Sequence, residues 1–183
     1  MPKIAARQSR LGTESAFDVL ARARALEAQG RTVVHLEIGE PDFETAPHIV
    51  EGAKRALDEG FTHYGPSAGL LQAREAVARY VAGTRDMDVT PDQVVITPGA
   101  KPIIFFTIMA VVDEGDEVLL PDPGFPIYES VVQYVGGTPV PLPLSEDRAF
   151  RFDPAELRAR VTDRTRLIIL NSPQNPTGGV LTP

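Results

Sequence analysis

Four short segments of this chain carry residue types that can bind a ligand. In Thr97-Pro98-Gly99-Ala100-Lys101, small residues lead into an apolar helical stretch. Backbone N–H groups and the helix dipole make such a turn a seat for phosphate, and Lys101 can add a point charge. The plainer reading is a tight turn that needs glycine, and the segment matches neither the Walker nor the dinucleotide fingerprint. Asp122-Pro123-Gly124-Phe125-Pro126-Ile127-Tyr128 sets two aromatic residues just after a predicted strand. A flat heteroaromatic ring can stack on Phe125, although both aromatics can equally be ordinary core. In Asn171-Ser172-Pro173-Gln174-Asn175-Pro176-Thr177-Gly178, X-Pro bonds flank polar amides. A cis proline there would aim an asparagine at a ligand, while an Asx-rich turn accounts for the same composition. Finally, Gly39 in Gly39-Glu40-Pro41-Asp42-Phe43 can let backbone approach a ligand closely.

The elements that must position these segments follow from hydrophobic periodicity. A helical stripe runs over Ser15 to Gln29, closed by Gly30, and a short strand is predicted over Thr32 to Ile38. Thr45 is expected to cap a second helix with Pro47 in its first turn, ending near Gly60, and a third helix follows the loop Tyr64 to Gly69. From there strands and helices alternate: strand 93–97, helix 99–112, strand 117–120, helix 125–135, a proline-interrupted edge strand 138–144, a helix opened by Asp153-Pro154-Ala155-Glu156, and strand 167–170. Short connections between alternating elements argue for an α/β fold with a mostly parallel sheet covered by helices. In such sheets ligands gather beyond the carboxyl ends of strands, where three of the four segments fall. The sequence shows no repeat and no low-complexity linker marking a second independent domain.

Composition removes several classes of function. The chain has 183 residues and a formal net charge of −7, a sign that repels nucleic acid and anionic membrane surfaces. Its longest apolar run, Ile103 to Val112, contains Thr107 and is only ten residues, short of the roughly 20 needed to span a bilayer. Cysteine is absent, which leaves no disulfide framework or thiolate metal site and fits a cytoplasmic protein. His35, His48 and His63 are too scattered for a local metal site.

Taken together and in order, Gly39-Glu40-Pro41-Asp42-Phe43, Tyr64-Gly65-Pro66 with Gly69, Gly99-Ala100-Lys101, Pro123-Gly124-Phe125 with Tyr128, and Asn171 through Gly178 resemble class I/II, fold-type-I aminotransferases of the aspartate aminotransferase kind, which use pyridoxal phosphate. The resemblance covers nearly the whole chain. It implies a three-layer α/β/α arrangement: residues 1–44 as N-terminal arm and small-domain segment, and residues 45–183 as the first part of the cofactor-binding large domain. It implies that Gly99, Ala100 and Lys101 hold the cofactor phosphate and that Phe125 stacks on the pyridine ring, where relatives often carry tryptophan or tyrosine. Asn175 would hydrogen-bond the phenolic oxygen, Gly39 would offer backbone to the substrate carboxylate, and Tyr64 would reach the phosphate of a partner subunit's cofactor in a homodimer. Lys101 has an alternative role in reading an acidic substrate side chain. Asp122-Pro123 and Asn175-Pro176 would be cis, and the strand at 93–97 would not pair with that at 117–120.

By the same resemblance, the substrates are an amino acid and a 2-oxo acid. The resemblance implies that the Schiff-base lysine, the aspartate beneath the pyridine nitrogen and the carboxylate-binding arginine lie beyond residue 183; the chain's lysines are Lys3, Lys54 and Lys101, and none sits in the family's serine-x-x-lysine setting. The chain is then expected to be an N-terminal fragment, inactive alone. Another fold-type-I chemistry such as β-elimination, or a non-catalytic binding or regulatory module, shares the same loops.

Overall fold

The computed structural model describes residues 3–12 and 15–182; Met1, Pro2, Thr13, Glu14 and Pro183 lie outside the described residues. Two compact units result, one from residues 1–22 with 99–183 and one from residues 23–98.

The first unit holds a three-stranded parallel sheet in the order β2-β1-β3, formed by β1 (Glu117–Asp122), β2 (Thr138–Pro143) and β3 (Thr165–Ile168). Strand β1 is central and buried on both faces, which is why its Val-Leu-Leu run is continuous rather than alternating. Val118 and Leu120 turn toward α4 (Lys101–Val111) and α5 (Ile127–Val135), where they pack with Ile108, Val112, Val131 and Val132 as the core. Leu119 points to the opposite face and is 0% exposed. Helix α6 (Pro154–Arg160) packs against β2. Asp153 caps α6 by accepting the Ala155 N–H at 2.8 Å. That bond, and then Arg148 at 2.7 Å, hold its carboxyl below the ordinary range.

The expected edge strand is β2, and its prolines explain how. The Thr138 and Leu144 N–H groups donate to Asp116 and Asp122 of the β1 side at 2.8 and 2.7 Å. Pro139, Pro141 and Pro143 therefore fall at the alternate positions, whose N–H would face away from β1. The outward Pro141 carbonyl accepts from Arg160 Nε at 3.0 Å. At the amino end of β1, Glu117 is buried with Thr162 Oγ1 donating at 2.6 Å and Arg164 as a second partner. These partners, the Thr162 hydroxyl first, keep its pKa below the ordinary value. This cluster lies at the end of the strand opposite the ligand side and serves the sheet.

The second unit contains the last turns of α1 (Ser15–Glu27), with α2 (Pro47–Asp58) and α3 (Leu71–Arg85). Three expectations fail here. Residues 32–38 form no ladder among the described residues, with a bend at Glu37, and Val34 and Leu36 remain exposed; alternation alone makes no strand without a neighbouring edge. Residues 93–97 are likewise not a strand. Pro91–Gln93 is a short 3₁₀ turn with a Thr90/Gln93 capping box, after which Ile96 N–H donates to Ala68 at 2.9 Å. Thr45 does not cap α2, since Ala46 occupies that position without a side-chain bond and Pro47 opens the helix.

Candidate functional site

Three of the segments singled out above meet in the first unit. Helix α4 begins at Lys101, preceded by Gly99 with φ +87° and by Ala100 at the cap position. The first turn of the helix itself carries no acidic residue, which keeps negative charge of its own from cancelling the positive end of its dipole. The loop after β1 turns through a cis Asp122-Pro123 bond to Phe125. Gly124 is required at this turn, because a Cβ there would stand 2.2 Å from the Pro121 carbonyl oxygen. Phe125 meets Tyr128 edge-on, with ring centroids 5.8 Å apart and planes at 88°. Burial raises the Tyr128 pKa. Lys101 Nζ lies 5.9 Å from the Phe125 centroid and also 5.9 Å from that of Phe17 on α1. The start of α4 and the aromatic face are therefore neighbours.

Beyond β3 the loop from Asn171 to Gly178 contains two cis bonds, Ser172-Pro173 and Asn175-Pro176. The Asn171 side chain accepts the Asn175 N–H at 2.8 Å, so the Asn175 side chain is held by a braced backbone and stays exposed. Gln174 is buried, and its Nε2 donates to the Pro123 carbonyl at 2.9 Å, joining this loop to the one that carries Phe125.

The other two site residues belong to the second unit. Tyr64 is fully exposed beside an open concavity of about 440 Å³ lined by Phe61, His63, Pro66, Leu70 and Ile96. Gly39 is exposed, and a Cβ on it would meet nothing within 4 Å among the described residues. Sequence reasoning gave no role to Phe17 or Gln174. Phe17 carried no signal, being one more apolar residue of a helix. Gln174 was visible only as an amide among prolines.

A cation at a helix amino terminus, a flat aromatic face beside it and an exposed amide on a braced loop are a donor set that fits a phosphorylated, planar pyridine such as pyridoxal phosphate. Among the described residues no group of carboxylates and histidines could hold a metal ion, and no helix is long and apolar enough to cross a membrane.

Helices packed against a parallel sheet, with the loops beyond its carboxyl ends drawn together, define an α/β architecture. The family model of aminotransferase class I and II matches residues 31–183, and the chain belongs to that family. It is 41% identical over 177 residues to a probable aspartate/prephenate aminotransferase of Aquifex aeolicus, covering 97% of this chain and 45% of that protein. The aspartate aminotransferase of Thermus thermophilus, solved with maleate, superposes with a TM-score of 0.91 at 37% identity, covering 98% of this chain and 47% of that one. The alanine aminotransferase of Pyrococcus furiosus gives 0.91 at 34% identity, covering 97% and 46%. The chain thus spans about half the length of the relatives it matches.

Proposed function

We propose that this protein, at the length of its relatives, is a pyridoxal-phosphate-dependent aminotransferase that moves an amino group between an amino acid and a 2-oxo acid. The observation that carries the reading is the convergence of three loops: Lys101 Nζ stands 5.9 Å from the Phe125 ring, and Gln174 ties that loop to the one bearing Asn175. The cofactor supplies the electron sink that lets an amino acid exchange its nitrogen.

The chain's own residues then do the following. Backbone N–H groups of Gly99 and Ala100 and the Lys101 ammonium bind the phosphate at the start of α4. Phe125 offers a face for the ring and keeps water from it. The Asn175 amide donates to the phenolic oxygen and so holds a negative charge there. Gly39 gives a backbone N–H to the substrate carboxylate. Tyr64 donates its hydroxyl to the phosphate of the partner subunit's cofactor, making a homodimer with shared sites the working assembly. Residues 1–44 form the arm and small-domain segment and residues 45–183 the start of the large domain, in a cytoplasmic protein.

None of the three lysines of this chain stands in the setting where the family places the one that binds cofactor covalently. Residues 1–183 alone are therefore expected to be inactive. Absorbance titration with pyridoxal phosphate tests the reading. The full-length protein should develop a long-wavelength band that an amino acid bleaches, with the matching 2-oxo acid released. A band unchanged by every amino acid would instead favour a binding module, and a band that yields a 2-oxo acid and ammonia would favour elimination. No band at all would refute the cofactor assignment.

A further inference from the structure

Gln174 is 5% exposed, and with Glu117 it makes up the buried polar or charged residues among those described. Glu117 serves the far end of the sheet. Gln174 sits between two loops at the carboxyl end of the sheet, and its main-chain N–H, its main-chain carbonyl and its Nε2 are each engaged in a definite direction. Its main chain closes its own loop, the N–H donating to Gly179 at 2.8 Å and the carbonyl accepting from Gly178 at 2.7 Å. Its side chain crosses to the other loop, with Nε2 donating to Pro123 at 2.9 Å. Both anchor points are closely packed. Pro123 is followed by Gly124, pressed on the Pro121 carbonyl, and Gly179 is pressed on the carbonyls of Ala149 and Phe150, each 2.8 Å from where a Cβ would lie. Burial gives the cross-link weight, because an amide deprived of its partner in such a place finds no water to replace it.

Pro123 lies two residues before Phe125, and Gln174 is the residue before Asn175. We propose that Gln174 is a positioning residue, its amide fixing the distance between the aromatic face of Phe125 and the Asn175 side chain so that both address one cofactor. The inference rests on the roles proposed above for those two residues. The length of the side chain matters: asparagine is one methylene too short to reach Pro123 unless a loop moves, and glutamate at neutral pH sets a carboxylate against a carbonyl with no proton to share.

The test uses the full-length protein and its variants Gln174→Leu, Gln174→Glu, Asn175→Ala and Phe125→Leu. Two quantities are read: pyridoxal-phosphate affinity of the apo form, and the pH midpoint of the bound cofactor's absorbance, which reports the hydrogen bond at its phenolic oxygen. Gln174→Leu should weaken affinity about fivefold, the scale of one net hydrogen bond, and move the midpoint in the same direction as Asn175→Ala. Gln174→Glu should show the same affinity defect at pH 8 and recover affinity relative to wild type near pH 5, because burial beside a carbonyl raises the pKa of the acid and its protonated form can donate to Pro123. It is isosteric with glutamine and carries the test if the leucine variant does not fold. A midpoint unmoved in Gln174→Leu and in Gln174→Glu, while Asn175→Ala shifts it, overturns the inference and leaves the functional reading intact. If Asn175→Ala and Phe125→Leu also change neither quantity, the reading itself fails and the inference with it.

Discussion

Replacing Lys101 by methionine keeps an aliphatic stem and deletes the ammonium that lies 5.9 Å from the Phe17 and Phe125 rings. Lys101 is solvent-exposed, so its field acts through a water-like medium, where two unit charges 4 Å apart attract by about 1 kcal/mol. A phosphate carries between one and two negative charges near neutral pH, which scales the loss to roughly five- to thirtyfold in affinity. The expected result for Lys101→Met in the full-length apo protein is therefore about a tenfold weaker pyridoxal-phosphate affinity at low ionic strength. Screening sharpens the expectation. The Debye length falls from about 10 Å at 0.1 M salt to about 3 Å at 1 M, so wild type and variant should converge to within about twofold at high salt. Equilibrium absorbance titration at both salt concentrations measures this. An unchanged affinity at low salt, with KM for a dicarboxylic amino acid raised and KM for a neutral one unaltered, would refute phosphate support and move Lys101 to the substrate side chain.

Two further outcomes follow from the packing and the charges. Leu119→Ala removes a side chain that is 0% exposed in the central strand and should cost about 2–5 kcal/mol in urea unfolding of the full-length protein; an unchanged midpoint would contradict the assigned core. His35 receives Glu37 at 2.7 Å and Glu27 at 2.8 Å, and these partners, Glu37 first, raise its pKa above 6.5. The protonated ring is the form that binds both carboxylates, so the tie between residues 35–37 and the end of α1 is complete below 6.5 and is lost as pH rises through the elevated value. A proton-NMR titration of His35 should give a midpoint above 6.5 that falls back toward it in Glu37→Gln; a wild-type midpoint at or below 6.5 would show that the clamp does not form.

The sheet of the first unit was legible because its strands lie between strong punctuation: Glu117–Asp122 between turn residues, and Thr138–Pro143 after Gly136-Gly137. The expected strands at 32–38 and 93–97 were not realised, since β-branched residues state a preference and only a neighbouring edge satisfies it. The phosphate-loop, aromatic and asparagine segments were readable as local chemistry. The Gln174 link was not. A hydrogen bond between residues 51 apart in sequence leaves no periodicity, and an amide among prolines looks like turn material until its burial is known. Phe17 was hidden for a similar reason, since nothing in a helical stripe tells which apolar residue will lie beside a lysine.

The prolines of β2 give the sheet a direction of growth. At its outward positions that strand offers carbonyls and no N–H donors, and the Pro141 carbonyl is already taken by Arg160. An incoming strand would find acceptors it could not fully use, so that margin is closed to addition. At Thr165–Ile168, by contrast, the strand has no proline and, among the described residues, a neighbour on one side alone. Any strand that extends this sheet, whatever molecule it comes from, must enter beside β3, and the sheet grows one way only.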